Sequence, residues 1–164
     1  MATFSFDIVS EYDKAEVNNV FASAQREIGS RYDFKNTPAA IEWLGDKTGF
    51  KVIGSGEWQL ESIIDIIRKN LINRGQSPKI IDLSKPVVET NMRAIQEIPF
   101  IEGLDQDKAK QITRLLKEQF PKVKTQIQGD VIRITSGSKN DLQAVMQAVS
   151  GHDFDFAISY TNYR

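Results

Sequence analysis

The sequence has no cysteine and a single histidine, His152, in 164 residues. Without thiols there is no disulfide, no cysteine nucleophile and no Cys-based zinc site. With one imidazole and no thiol, a triad of nucleophile, base and orienting acid has no parts to be built from. Charge of one sign is also missing: 21 Lys and Arg stand against 22 Asp and Glu, for a formal net charge of −1. A long-duplex binder normally carries a basic footprint, so a nucleic-acid role must rest on a local patch or a small ligand. No stretch approaches the roughly 20 apolar residues of a membrane-spanning helix. The first residues, Met1-Ala2-Thr3-Phe4-Ser5-Phe6-Asp7, lack both the charged and the apolar regions of a signal peptide, so a cytoplasmic protein is expected. With 40% hydrophobic and 26% charged residues, the composition is that of an ordinary folded chain.

Four segments carry the spacing of amphipathic helices. Asp13 to Ser30 aligns Val17, Val20, Phe21, Ala24 and Ile28, and Glu57 to Asn73 aligns Leu60, Ile63, Ile64, Ile67 and Leu71, with Gly75 just beyond. Asp105 to Phe120 aligns Ala109, Ile112, Leu115 and Leu116 and is stopped by Pro121. The fourth begins near Ser138, a helix-capping residue type, and runs through Leu142, Val145, Met146 and Val149 to Gly151.

Alternating segments lie between the helices. Phe4, Phe6 and Ile8 alternate with Ser5, Asp7 and Val9. Ala40–Leu44 and Phe50–Ile53 form one predicted hairpin. Val123–Gln128 and Val131–Thr135, joined at Gly129-Asp130, form another. Single strands are expected at Lys79–Leu83 and Phe154–Tyr160, and Val87–Ile101 is expected to be one long extended strand. The order is βαββαβ twice. Val52-Ile53-Gly54-Ser55-Gly56 and Arg133-Ile134-Thr135-Ser136-Gly137 each lead into a similar helical stripe, which supports duplication. An α+β fold of two antiparallel, ferredoxin-like sheets follows, with helices on one face of each and the other face open. A unit of roughly 80 residues buries only about 60% of its unfolded surface, so the two are expected to depend on each other.

Few motifs carry chemistry. His152, Asp153 and Asp155 make a loose set for a metal, and a solvated strand entrance is the better reading. Gly54-Ser55-Gly56 lacks the Lys-Ser/Thr of a phosphate loop and reads as a strand-to-helix turn whose helix start could still hold an anion. Strand alternation sends Val123, Ile127, Ile132 and Ile134 towards the helices, leaving Lys124, Gln126, Gln128, Arg133 and Thr135 on the open face. Such side chains suit hydrogen bonds to bases and phosphates, and they equally suit a solvated sheet with cross-strand polar pairs. Both readings stand. Around Arg26 and Arg31-Tyr32-Asp33-Phe34-Lys35-Asn36, aromatics interleave with cations, as single-stranded nucleic acid prefers. The alternative is cations at a helix C-terminus with Tyr32 and Phe34 packed beneath, and for Phe34 packing is favoured. The aromatic motif of RNA-recognition folds is absent from Phe50-Lys51-Val52-Ile53 and Val131-Ile132-Arg133-Ile134.

Four segments in this order, Phe4-Ser5-Phe6-Asp7-Ile8-Val9-Ser10-Glu11, Ser30-Arg31-Tyr32-Asp33-Phe34-Lys35-Asn36, Gln126-Ile127-Gln128-Gly129-Asp130-x-Ile132-Arg133-Ile134-Thr135 and Asp141-Leu142-Gln143-Ala144-Val145-Met146, resemble the YajQ family of bacterial proteins nearly end to end. The closing Tyr160-x-Asn162-Tyr163-Arg164 resembles the family's Phe-x-Asn-Phe-Arg with Tyr twice for Phe, and Ser136-Gly137-Ser138-Lys139 carries an additional Ser. The resemblance implies tandem ferredoxin-like (ribonucleoprotein-like) domains with first strands swapped. Residues 11–101 would form one domain, using the strand at 87–101, and residues 1–10 with 102–164 the other. It also implies a non-enzymatic binder of a nucleotide, cyclic di-GMP or a related guanine nucleotide, or of RNA, with a transcription regulator as a further partner. No catalytic residue, metal, cofactor or membrane is expected. On that reading Arg31, Lys35, Arg133 and Lys139 neutralise phosphates or stack on bases, while Gln126, Gln128 and Asp130 read guanine edges. A module that only binds a protein partner is the remaining alternative.

Overall fold

The structure, a computed structural model, describes residues 3–164. In chain order its elements are β1 (Phe4–Val9), α1 (Lys14–Ser30), β2 (Ala40–Leu44), β3 (Gly49–Gly54), α2 (Glu57–Asn73), β4 (Val88–Thr90), β5 (Arg93–Pro99), α3 (Gln106–Gln119), β6 (Lys124–Gln128), β7 (Val131–Ser136), α4 (Lys139–Gly151) and β8 (Ser159–Thr161). The helices start where their caps dictate. Asp13 accepts hydrogen bonds from the Ala15 and Glu16 amides, Asp105 from Lys108 and Ser138 from Asp141.

Two compact units result. One is Tyr12–Ile101; the other joins the residues up to Glu11 with Glu102–Arg164. Each holds a four-stranded sheet whose pairings are all antiparallel, in the order β2-β3-β5-β4 for the first and β6-β7-β1-β8 for the second. Both orders are ferredoxin-like, with the strand that precedes a helix placed second from one edge. The strand exchange is visible in the connectivity. β1 lies between β7 and β8 yet runs on into α1 of the other unit, and β5 pairs with β3 yet leads to α3.

Three expected strands differ. Val87–Ile101 is a hairpin: Thr90 pairs with Arg93 across Asn91 and Met92, whose φ values are +46° and +64°. A two-residue turn with the right twist needs both central residues left-handed, and no glycine marks it. The fourth strand of that sheet is therefore β4. Lys79–Leu83 instead begins with a 3₁₀ turn, Pro78–Ile80, capped by the Ser77 hydroxyl, and keeps only one bridge, Ile81 to Phe100. The proline presets the turn and supplies no amide for a ladder. In Phe154–Tyr160 only Ser159 and Tyr160 are strand, because Phe154 and Phe156 turn inwards and are buried.

In the unit containing β1, the core is built from Phe6, Ile8, Ile132 and Ile134 of the sheet against Ile112, Leu116, Val145 and Val149 of α3 and α4. Full burial of such side chains contributes about 1.5–3 kcal/mol each. Phe6 and Ile8 come from the far end of the chain. A fragment spanning residues 102–164 is therefore expected to show no cooperative thermal transition on its own, and to regain one when a peptide carrying Phe4–Val9 is added. A sharp transition in the fragment alone, followed by circular dichroism, would contradict this.

Candidate functional site

The face of the β6-β7-β1-β8 sheet that points away from α3 and α4 is assembled by register. Asp7 of β1 lies opposite Arg133 of β7, which lies opposite Gln126 of β6; Ser5, Thr135 and Lys124 form the next row. β6 and β7 meet in the tight turn Gly129-Asp130, where Gly129 takes φ +63°.

Asp7 is the centre of this face. Arg133 donates from Nε to Asp7 Oδ1 at 3.0 Å and from Nη2 to Oδ2 at 3.4 Å, and Asn162 Nδ2 donates to Oδ2 at 2.8 Å. Asp7 is only 3% exposed. The Arg133 hydrogen bonds hold its pKa below the ordinary value against the opposing effect of burial, with the Asn162 amide adding to them. Asn162 reaches Asp7 through a bulge. Thr161 pairs with Asp7 and the Arg164 backbone exchanges hydrogen bonds with Ser5, so three residues on this strand span what two span on β1. Asn162 absorbs the extra residue at φ +56°. The bulge reverses the alternation, and Tyr163 consequently stacks on Phe6 on the helix side, with ring centroids 6.3 Å apart and planes at 24°.

On that side, between α4 and the last residues, lies a groove of about 340 Å³ lined by Phe4, Lys139, Leu142, Met146, Tyr163 and Arg164 among others. Lys139 sits in the first turn of α4 with its ammonium 5.1 Å from the Phe4 ring centre.

The seven residues singled out from the sequence are therefore distributed. Gln126 and Arg133 are cross-strand neighbours, and Gln128 follows on the same face of β6. Asp130 is in the turn, its Oδ2 within 3.6 Å of where a side chain on Gly103 would begin. Lys139 is on the helix side of the same unit. Arg31 and Lys35 belong to the other unit and are engaged locally. Arg31 forks onto Asp33 at 2.9 and 2.8 Å and lies over the buried Phe34 ring, while Lys35 lies over the Tyr32 ring at 5.5 Å. Phe34 is buried, as the packing alternative favoured, whereas Tyr32 is 85% exposed.

Two further motifs resolve simply. The Ser55 amide and hydroxyl both donate to Oε1 of the buried Gln59, at 2.7 and 3.2 Å, so the Gly54-Ser55-Gly56 turn is closed by its own helix. His152 packs on Phe154 at 4.4 Å, and no cluster of three His, Cys, Asp or Glu side chains suited to a metal occurs among the described residues. No helix among them is long and apolar enough to cross a membrane.

A family model described as nucleotide-binding protein YajQ-like matches residues 4–164. The chain belongs to the YajQ family. It is 42% identical over the full length of both chains to a nucleotide-binding protein of Streptomyces griseus and 40% identical, again over both full lengths, to one of Nocardioides. A nucleotide-binding protein of Picosynechococcus is 42% identical over 99% of each chain.

Sequence reasoning passed over three residues that organise the site: Asp7, Asn162 and Tyr163. Their signal was present, in the opening and closing motifs shared with the family, but not their contact, since Asp7 and Asn162 are 155 positions apart. Because the native carboxyl of Asp7 titrates below its unfolded value, its contribution to stability is complete above about pH 4 and is lost as pH falls through the lowered native pKa. Asp7→Asn should therefore lower the thermal midpoint near neutral pH, and the gap from wild type should narrow steadily below pH 4. A gap independent of pH would mean that the carboxylate charge is not what matters.

Proposed function

We propose that the protein is a non-enzymatic receptor for a guanine nucleotide, cyclic di-GMP being the most concrete ligand, read on the sheet face around Arg133. The observation that carries this reading is the fixed guanidinium. Arg133 uses Nε and Nη2 on Asp7, which leaves Nη1 and the flat faces of the group for a ligand, and its side chain remains 37% exposed. A guanidinium held in place by a buried carboxylate loses little freedom when a base stacks on it or a phosphate accepts from it. Gln126 directly opposite and Gln128 beyond it offer amides that can both donate to and accept from a guanine edge. Family membership supports the class of ligand. A cyclic dinucleotide's two bases and two phosphates suit a surface that offers both amides and cations, Gln126 and Gln128 beside Arg133 and Lys124. Cytoplasmic residence fits the same role.

The test is calorimetric titration of the full chain with cyclic di-GMP and GTP at low and physiological salt. Saturable binding of the cyclic dinucleotide that survives physiological salt is expected, with Arg133→Ala weakening it about tenfold or more through loss of a charge-assisted contact. Equal affinity of mutant and wild type would remove Arg133 from the site.

A second reading, RNA binding, is favoured by one separate observation. Residues 108–124 contain six cations and a single carboxylate, Glu118, in a chain whose net charge is −1. Lys110, Arg114 and Lys117 follow one another along an exposed side of α3 around a shallow depression of about 350 Å³, and none of them has an ion-pair partner among the described residues. Affinity for a short single-stranded RNA should then fall steeply with salt, and each of these cations replaced by Gln should flatten the logarithmic slope by roughly 0.7. An unchanged slope would dismiss α3 as the contact surface.

A further inference from the structure

The groove between α4 and the chain's last residues has a composition unlike the flat Arg133 face. Phe4, Leu142 and Met146 contribute apolar surface, Leu142 being buried and the other two half-buried. Tyr163 stands beside them 63% exposed, with one side of its ring laid against the fully buried Phe6. An aromatic ring backed on one side and open on the other is a stacking platform. Its placement is not incidental. The bulge at Asn162, anchored by the amide hydrogen bond to Asp7, is what turns Tyr163 to the groove side of the strand instead of the Arg133 face.

The charges complete the pattern. Lys139 lines the groove, no Asp or Glu side chain does, and this cation has no ion-pair partner among the described residues. Lys139 also stands in the first turn of α4, where the helix dipole favours an anion. Gln143 adds a hydrogen-bonding group at the rim. A space of about 340 Å³ is at the small end of the range for small-molecule sites, roughly 300–1,000 Å³. It suits one base with its sugar and phosphate better than two.

We propose that this groove is a second ligand site, distinct from the Arg133 face, that takes a purine nucleoside monophosphate. The base stacks on the open side of Tyr163 above the apolar floor of Phe4 and Met146, and the phosphate lies against Lys139 at the start of α4. A purine is favoured over a pyrimidine because its larger ring system covers more of the Tyr163 face.

The test is calorimetric titration of the full chain with GMP and AMP, with guanosine as the phosphate-free control. GMP or AMP is expected to bind saturably to wild type, and guanosine at least tenfold more weakly. Tyr163→Ala should lower the affinity about tenfold, as loss of a base–aromatic stack does, while Tyr163→Phe, which keeps the ring, should stay within about threefold of wild type. Lys139→Gln, a surface change that leaves the core intact, should weaken GMP but not guanosine. Wild type that takes up neither monophosphate, or Tyr163→Ala and Lys139→Gln proteins that bind as wild type does, would overturn the proposal. Cyclic di-GMP binding sensitive only to Arg133→Ala would in that case leave the guanine-nucleotide reading standing without the groove.

Discussion

β1 is the element on which the unit containing Glu102–Arg164 depends. It is a strand from the start of the chain with ladders on both sides, to β7 and to β8. Its alternation sends Phe6 and Ile8 into the core and Ser5 and Asp7 to the opposite face, so one six-residue strand supplies a fully buried ring on the helix side and a buried carboxylate on the other. Because the side-chain period of a strand is two, a register slip of one residue would exchange these sets and place a carboxylate against Ile112 and Val145. Register is therefore enforced by the core, and everything on the open face inherits it.

From that register follows a chain of consequences reaching the last residues. Asp7 can accept from Arg133 only because Phe6 and Ile8 pair with Ile134 and Ile132 on either side. A buried, charged acceptor is costly unless its hydrogen bonds are made, and Asn162 satisfies what Arg133 leaves. For its amide to reach, the strand must bulge, and the bulge turns Tyr163 over onto Phe6. The polar cluster on one side of the sheet and the aromatic wall of the groove on the other are two results of the same local geometry. Backbone hydrogen bonds between Arg164 and Ser5 fix the chain beside the Tyr163 ring.

The other unit shows the same architecture with different chemistry. Its buried polar residues serve closure: Gln59 binds the Ser55 turn and donates to Thr37, and Gln96 donates to the Lys85 carbonyl at 3.0 Å. Its open face carries Glu42, Lys51 and Glu97 in register, a cross-strand row of alternating sign. The Arg31 and Lys35 cations are occupied by neighbours within the same short segment. Duplication of the fold has thus not produced duplication of the Asp7–Arg133–Asn162 cluster, which explains why the repeat visible in the turns and helix stripes is not visible in the polar face residues.

All four helices were legible in the sequence, because a 3.6-residue apolar stripe, a capping Asp or Ser and a stopping Gly or Pro are all local signals. The faces of β6 and β7 were legible for the same reason, although Ile127 on the core side is half exposed at the sheet's edge. The hairpin at Asn91-Met92 was not, since its left-handed turn carries no glycine, nor was the 3₁₀ turn at Pro78, whose apolar neighbours imitate a strand. Local sequence thus determined which residues face inwards and where the helices begin and end. Which strand lies beside which was decided only in three dimensions, where segments more than a hundred positions apart compete for the same edge and the winning register is the one that fills the core. The pairing of Asp7 with Arg133, the bulge at Asn162 and the groove beside Tyr163 all belong to that second class. No local pattern encodes them, because each is a consequence of a partner the chain meets only after it folds.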